Sequence, residues 1–406
     1  MKIVFLQDDF PPYSFGGAGI STYEFASRMK EKGHDVYVIT TCREKKDSGK
    51  KEYNGLTVFH IQSDYYAPLR SFVSLYNWQT IPVIKKILKM LSPDVVHVQN
   101  IHFYLSYYAI RIANKYARRV VFTVRDTMSI SYGKLQTKRY LETRNPVLYW
   151  YNNLLHARKR WNPVRNLFIR WCLSCVDFRS AISASVKHAL EVNGISDVSV
   201  IYNGIVAKDW HIEQSRIDAF KSTYQLKNKH ILFFNGRLSA PKGGACAIDA
   251  LAHIVKKVPD TILLVAGSID TYAEAMRTYA KTCGVEGNII FTGWLNRDEI
   301  MVAYFVSDIV LMLSLYLDAF GRVNIEAMAS GKPVIGTCFG GTPEIVVNDV
   351  TGYIVNPLYP IEVAEKAIDL FLDKEKREAF GVAGRMRVEK YFSLDDKIEE
   401  YIRLYQ

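Results

Sequence analysis

The passage from Leu311 to Pro333 constrains this chain more than any other. Leu311 to Leu315 read as a buried strand, Gly321 lets the backbone turn sharply, and Asn324 to Ala329 read as a helix ended by Gly331 and Pro333. A helix that starts directly after a strand points its first N–H groups and its positive dipole end above the sheet edge, which makes an anion site. Asp318 stands at the entrance, and Glu326 lies about one and a half turns into the helix. A helix with an acidic face would explain Glu326, but not Phe320-Gly321 at the junction.

A second junction lies upstream. The apolar strand Ile231 to Phe234 runs into Gly236-Arg237-Leu238-Ser239-Ala240-Pro241-Lys242-Gly243-Gly244, and a helical run follows from Ala245 to Val258. Arg237 and Lys242, separated by four residues in a turn, can converge on one polyanion: a guanidinium gives paired hydrogen bonds to phosphate, and an ammonium adds a compact charge. The alternative is an ordinary loop with two solvated cations. Both junctions follow strands of one predicted sheet, where ligands of open α/β sheets collect.

Strands and helices alternate through both halves. In the first half, strand signals lie at the N-terminus, Val36–Thr40, Val95–Val98 and Val120–Val124. In the second they lie at Ile231–Phe234, Thr261–Ala266, Ile289–Phe291, Ile309–Leu315 and Pro333–Gly336. The first helix is expected to be capped by Ser21, with Glu24 completing a capping box, and to stop at Gly33. The 406 residues suit two domains. Asn-Gly pairs between Asn193 and Gly204 mark the boundary, giving domains of residues 1–198 and 199–389. The fold class is α/β. No run approaches the ~20 apolar residues of a membrane-spanning helix, and Met1–Leu6 reads as a core strand rather than a signal peptide. The six cysteines do not form a disulfide framework, and the lone pair Cys172–Cys175 reads as packing rather than a zinc site, which suits a reduced cytosolic setting.

The net charge of +11 is uneven. Nine basic residues lie between Lys134 and Arg170 against one acid, Glu142, with Tyr140, Tyr149, Trp150, Tyr151, Trp161, Phe168 and Trp171 interleaved. Such a surface suits anionic lipid headgroups. A solvated helix pair with a partly buried aromatic face is the alternative, and nucleic acid ranks behind both.

The two junctions resemble those of the retaining GT-B-fold glycosyltransferases of family 4, which carry a G-R-L-x-x-x-K-G loop and an E-x7-E element. Gly236-Arg237-Leu238 to Lys242-Gly243 is similar to the first, and Asp318-Ala319-Phe320-Gly321 to Glu326-Ala327-Met328-Ala329 to the second. Pro12–Gly19, Ser92–Asn100, Val200–Ile205, Phe291–Leu295 and Gly340–Val346 resemble further family elements in the same order. The resemblance implies two Rossmann-like domains facing a central cleft, an acceptor-binding one and a nucleotide-sugar-binding one, with the C-terminal segment 390–406 crossing back to the first.

It also implies a mechanism. A nucleoside-diphosphate sugar would have its diphosphate held by Arg237, Lys242 and the helix start at Phe320-Gly321-Arg322, without metal or cofactor. Glu326 would accept from the ribose hydroxyls, Asp318 would face the transferred sugar, and backbone around Gly293-Trp294-Leu295 would read the base. Gly16 and Gly17 would bring backbone close to the phosphate and the acceptor pocket, where a side chain would clash; a plain flexible loop is the alternative. Asp318, Glu326, Arg237 and Lys242 form the expected catalytic set of a hexosyltransferase-like enzyme acting on a saccharide or lipid-linked acceptor, in cell-surface glycan or glycolipid synthesis. The expected location is cytoplasmic and peripheral on the inner face of the plasma membrane, with 134–171 as the contact and no nucleic acid as partner.

Two positions depart from the family pattern. Asp318 replaces its first glutamate, and Arg125, before Asp126, replaces a histidine that contacts the sugar. Arg125 stays cationic and is open to a sugar carboxylate or phosphate, or to Asp126. His102 is a further candidate near the acceptor or sugar, whereas His97 reads as a satisfied strand histidine. A catalytically inactive GT-B module partnering an active transferase is the alternative that the departures support. A nicotinamide-dependent oxidoreductase is opposed by Thr22 where a third glycine is wanted and by the lack of an acid at the end of the second strand.

Overall fold

Strands buried at all but their end residues form the centres of both sheets of the chain, which a parallel sheet covered on two faces requires. The computed structural model describes residues 1–14 and 16–406; Phe15, inside the Pro12–Gly19 loop, lies outside the described residues. The chain divides into one unit of residues 1–140, 145–203 and 394–406 and another of residues 141–144 and 204–393.

The first unit contains β1 (Lys2–Leu6), β2 (Asp35–Cys42), β3 (Gly49–Tyr53), β4 (Leu56–Gln62), β5 (Val95–Val98), β6 (Arg119–Val124), β7 (Phe178–Ala181) and β8 (Val198–Val200), in the order β3-β4-β2-β1-β5-β6-β7-β8. Only the β3–β4 pairing is antiparallel. The order reverses at β1 and β5, so the loops after these strands flank a topological switch point. Asp8, two residues beyond β1, ties the two loops together: its carboxylate accepts the N–H groups of Phe103, Tyr104 and Leu105 at 2.6, 2.9 and 2.8 Å.

The helix after β1 runs from Gly17 to Glu31 with Gly16 at its N-cap. The expected cap at Ser21 is therefore wrong: Ser21 and Glu24 lie inside the helix. Gly17 and Gly19, which read as loop, lie in its first turn, and at Gly19 the chain needs the small size. A Cβ on Gly19 would lie 2.2 Å from Ser14 Oγ and 2.8 Å from Asp9 O. Gly33, at φ +84°, closes the helix as expected.

The C-terminal helix Leu394–Tyr405 belongs to this first unit. Arg28 grips Asp395 with two hydrogen bonds of 2.6 and 2.8 Å. Inside, Tyr401 OH lies 2.9 Å from Thr123 Oγ1 and 2.8 Å from Ser180 Oγ, and Tyr405 OH lies 2.5 Å from His97 Nδ1. His97 Nε2 meets Thr123 Oγ1 at 2.7 Å, so His97 is a core histidine with both nitrogens partnered, and burial holds its pKa well below the usual value.

The second unit contains β9 (His230–Asn235), β10 (Thr261–Ala266), β11 (Ile289–Gly293), β12 (Ile309–Met312), β13 (Val334–Thr337) and β14 (Gly352–Val355). Every pairing is parallel and the order is β11-β10-β9-β12-β13-β14. This is the doubly wound Rossmann order, with its switch point between β9 and β12. The two junctions singled out in the sequence leave the C-terminal ends of those two neighbouring strands. The helix Lys374–Tyr391 stays in this unit, packed on the helix Arg322–Ala329: a Cβ on Gly381 would lie 2.1 Å from Gly331 O. No helix among the described residues is long and apolar enough to cross a membrane.

Candidate functional site

Close backbone approach brings the two junctions of the second unit together. Gly243, at φ +83°, begins the helix Gly244–Ile254, and a Cβ there would lie 2.2 Å from Leu313 O. Leu315 N donates to Pro241 O at 2.8 Å. The loop after β9 is thereby held against the chain leaving β12. Lys242 Nζ meets Asp318 Oδ2 at 2.8 Å as a consequence.

Asp318 is a hub. Its Oδ2 also accepts from Ser314 Oγ at 3.0 Å and from Tyr316 OH at 2.8 Å. Its carbonyl accepts from Gly341 N at 2.9 Å, and a Cβ on Gly340, at φ +68°, would lie 2.1 Å from that same oxygen. Burial alone would raise the Asp318 pKa. The Lys242 ammonium, with the bonds from Lys242, Tyr316 and Ser314, overrides it and brings the value down to about 2. Lys242 is raised: burial works against its charge, and Asp318 and Tyr316 outweigh burial. The pair is ionised across the neutral range. The sequence reading missed Ser314 and Tyr316. No regular spacing marks them: the chain bends beyond β12, with Asp318 N donating to Tyr316 O at 2.7 Å, and that turn gathers the three side chains.

The helix after β12 runs from Arg322 to Ala329, capped by Gly321 at φ +70°. That φ favours glycine, and a Cβ there would also lie 2.7 Å from Asn324 Nδ2. The first-turn N–H groups face the C-terminal edge of the sheet. Glu326 is engaged at both oxygens: Oε1 accepts from Arg322 Nε at 2.6 Å, and Oε2 from Tyr304 OH at 2.8 Å. Each carboxylate oxygen has a second lone pair, so Glu326 retains the capacity to accept a hydroxyl. Tyr304 is itself held by Asn235 Nδ2 at 2.9 Å; no motif marked either residue. Phe320 is buried, in edge contact with Phe392.

Arg237 differs from Lys242. It is exposed, and among the described residues its side chain makes no hydrogen bond or ion pair with protein. Lys242 and Arg322 are each matched by one carboxylate, which leaves Arg237 as the uncompensated charge of this group. Gly293 (φ +77°) ends β11, its carbonyl accepts Gly267 N at 3.1 Å, Trp294 is 71% exposed and Leu295 is buried. All of these residues lie along the C-terminal edge of one parallel sheet. Among the described residues no group of three or more His, Cys, Asp and Glu is placed to hold a metal.

The first unit carries the remaining candidates, also past strand ends. Among the described residues, nothing beyond its chain neighbours lies within 4 Å of a Cβ placed on Gly16, whereas packing keeps Gly19 as glycine; Gly17 is the first residue of the helix. Arg125 donates from Nη1 to Asn203 Oδ1 at 2.9 Å and from Nε to Gln99 Oε1 at 2.5 Å. Asp126 accepts Met128 N at 2.8 Å and lies 3.5 Å from His102 Nε2. His102 is buried. Burial lowers its pKa to about 4 despite Asp126, so it is neutral at pH 7.

The basic stretch is not one surface. Trp150, Leu155 and Leu167 are 72%, 69% and 64% exposed, whereas Tyr140 and Arg165 are buried. Cys172 is also buried, and no cysteine is in a disulfide.

Comparison with known proteins places these features in a wider set. Residues 215–387 match the family model described as "Glycosyl transferases group 1", and residues 15–208 match "Glycosyltransferase Family 4". YtcC of Bacillus subtilis is 29% identical over 218 residues, 51% of this chain and 54% of that protein, so the match spans about half the length of that relative. An uncharacterized glycosyltransferase of Methanocaldococcus jannaschii is 26% identical over 420 residues, covering 100% of this chain and 98% of its own. Anabaena HepE, solved in complex with UDP and glucose, superposes with a TM-score of 0.74 at 19% identity, covering 100% of this chain and 99% of that one.

Proposed function

The chain belongs to the family 4 glycosyltransferases of GT-B fold, and from that premise we propose that it is a retaining enzyme moving a hexosyl group from a nucleoside-diphosphate sugar to a saccharide or lipid-linked acceptor. The observation that carries the reading is the Lys242–Asp318 pair, which ties the loop after β9, the loop that also carries Arg237, to the chain leading into the helix Arg322–Ala329 beside the β9–β12 switch point. Cations and oriented N–H groups at one sheet edge suit a diphosphate. HepE was also solved with UDP-glucose, which supports the donor class by likeness.

In the proposed reaction the bond from the anomeric carbon to the diphosphate breaks, and the acceptor oxygen bonds to the same face. The acceptor proton passes to the departing phosphate oxygen. Arg237 and Lys242 balance the charge that grows on the leaving group, which is electrostatic preorganisation. No metal is assigned to this role, because the chain's own cations supply it. Asp318 is too constrained by Lys242, Tyr316 and Ser314 to swing as a nucleophile; it holds Lys242 in place and presents its free edge to the sugar. Exposed Trp150, Leu155 and Leu167, near Arg158 and Lys159, support peripheral contact with an anionic membrane surface on the cytoplasmic side.

Incubation with UDP- and GDP-sugars and a mixed acceptor panel tests the reading. The expected result is release of nucleoside diphosphate and a product whose anomeric configuration, read by proton NMR, equals that of the donor. Inversion would refute the retaining assignment. Absence of both transfer and donor hydrolysis, with nucleotide still bound, would mean an inactive module.

A further inference from the structure

A cavity in the first unit is lined by Arg70, Ser71, His102, Tyr132, Arg160 and Arg165, together with Ser74 and Met128. It lies past the C-terminal ends of the parallel strands β4, β5 and β6, outside the group of residues assigned to the donor. Three guanidinium groups meet there, and among the described residues none forms an ion pair with a carboxylate. Arg165 is 2% exposed and is positioned by neutral groups: Nη1 donates to Asn166 Oδ1 at 2.8 Å, Nη2 donates to Met128 O, and the group lies over the Tyr132 ring at 4.6 Å. Arg70 stacks over Phe103 at 3.7 Å. Two acids lie nearby, Asp8 bonded to three backbone N–H groups and Asp126 to Met128 N; they act on Arg70 and Arg165 through space without pairing with them.

Two uncharged groups add to this. Ser71 and His102 are each 4% exposed, and neither Ser71 Oγ nor His102 Nε2 has a hydrogen-bond partner. The 3.5 Å separation of His102 Nε2 from Asp126 Oδ2 falls outside hydrogen-bond geometry. Buried cations and buried hydroxyls are ordinarily matched. Here Ser71 Oγ and His102 Nε2 lack a hydrogen bond, and among the described residues no carboxylate pairs with the three guanidinium groups lining the same space.

We propose that this cavity binds a phosphoryl group. Planar guanidinium forks fit phosphate oxygens in pairs, and three of them with a hydroxyl and an imidazole N–H supply more donors than a carboxylate could accept. Binding itself does not depend on the transfer reading; that the phosphoryl group is carried by the acceptor rests on it. The carrier is either a soluble phosphate ester or a lipid headgroup, and the experiment separates them.

The test titrates the full chain with glycerol 3-phosphate by calorimetry, and sediments it with phosphatidylcholine vesicles with and without phosphatidic acid. Arg70→Gln, Arg160→Gln and Arg165→Gln are compared with Arg237→Ala. Each of the first three should weaken phosphoryl binding roughly tenfold or more, while Arg237→Ala leaves it unchanged. Loss on the soluble ester supports a soluble carrier, and loss on phosphatidic acid vesicles alone supports a lipid one. Binding that is absent for both probes, survives Arg70→Gln and Arg160→Gln, or disappears in Arg237→Ala overturns the proposal. UDP and GDP titrations and thermal unfolding of the same variants show that they are folded, and separate failure here from failure of the donor assignment.

Discussion

Arg237→Ala is expected to lose roughly ten- to hundredfold in affinity for UDP or GDP, the worth of one or two charge-assisted hydrogen bonds, while its unfolding midpoint stays in place. Both halves follow from the same observation: the guanidinium is exposed and without a protein partner among the described residues. Removing it breaks nothing in the fold, and surface substitutions of this kind stay within about 0.5 kcal/mol. It does remove the one uncompensated charge of the donor group. Arg237→Lys should recover part of the affinity, since an ammonium keeps the charge but lacks the fork. Isothermal titration of the three proteins reads the effect, and equal affinities would remove Arg237 from the site.

Lys242→Met is expected to behave differently, losing stability as well as activity. Asp318 would remain buried with its charge but without its counter-ion. Removing one partner of a buried pair typically costs about 3–5 kcal/mol, and partial exposure of Lys242 places this case nearer about 2–3 kcal/mol. Adding Asp318→Asn should return much of the loss, because the stranded charge goes with it. Transfer should stay low in both, by about 10²–10³-fold, the cost of one lost charge-stabilising donor. The pH dependence has a definite sign. The Asp318 pKa is depressed from 3.8 to about 2, so its contribution is complete above pH 4 and is lost as pH falls through that interval. Lys242 is raised, so its contribution is complete below the ordinary lysine value of 10.5 and is lost as pH rises above it. Urea unfolding between pH 2 and 5 checks this. An acid loss of equal size in wild type and in the double variant would show that the pair is not its source.

The sequence made the architecture of this edge readable because glycine is costly to replace where φ is positive. Gly321 and Gly243 marked the turns, and both stand at positive φ against a neighbouring segment. Periodicity located β5 and β10 to the residue. It failed for β3, whose Gly-Lys-Lys-Glu-Tyr has no apolar alternation, since an antiparallel edge strand gains from charges that discourage further pairing. The cap at Ser21 failed because the helix starts four residues earlier, at Gly17, through glycines of poor helix propensity, of which Gly19 is held against Asp9 and Ser14.

The pairings among the candidate residues were not legible in the sequence. Lys242 and Asp318 are 76 positions apart, and only the close approach of Gly243 to Leu313 makes them neighbours. Arg125 left Asp126 open as a partner, yet its guanidinium bonds to the amides of Gln99 and Asn203, which arrive from two other strand ends. The arginines of the phosphoryl cavity come from two distant stretches, Arg70 after β4 and Arg160 with Arg165 after β6, and the latter two read in sequence as part of one basic surface. Nothing in local spacing reports that Arg165 turns inward. That depends on Met128, Tyr132 and Asn166 meeting it.

The central claim is that the second unit grips a diphosphate between the loop after β9 and the helix after β12. A crystal structure of the protein grown with the sugar nucleotide that it turns over tests this directly. The account predicts diphosphate oxygens within hydrogen-bonding distance of the Arg237 guanidinium, Lys242 Nζ and the first N–H groups of the helix Arg322–Ala329. A diphosphate bound at any other place, with those groups out of reach, would contradict it.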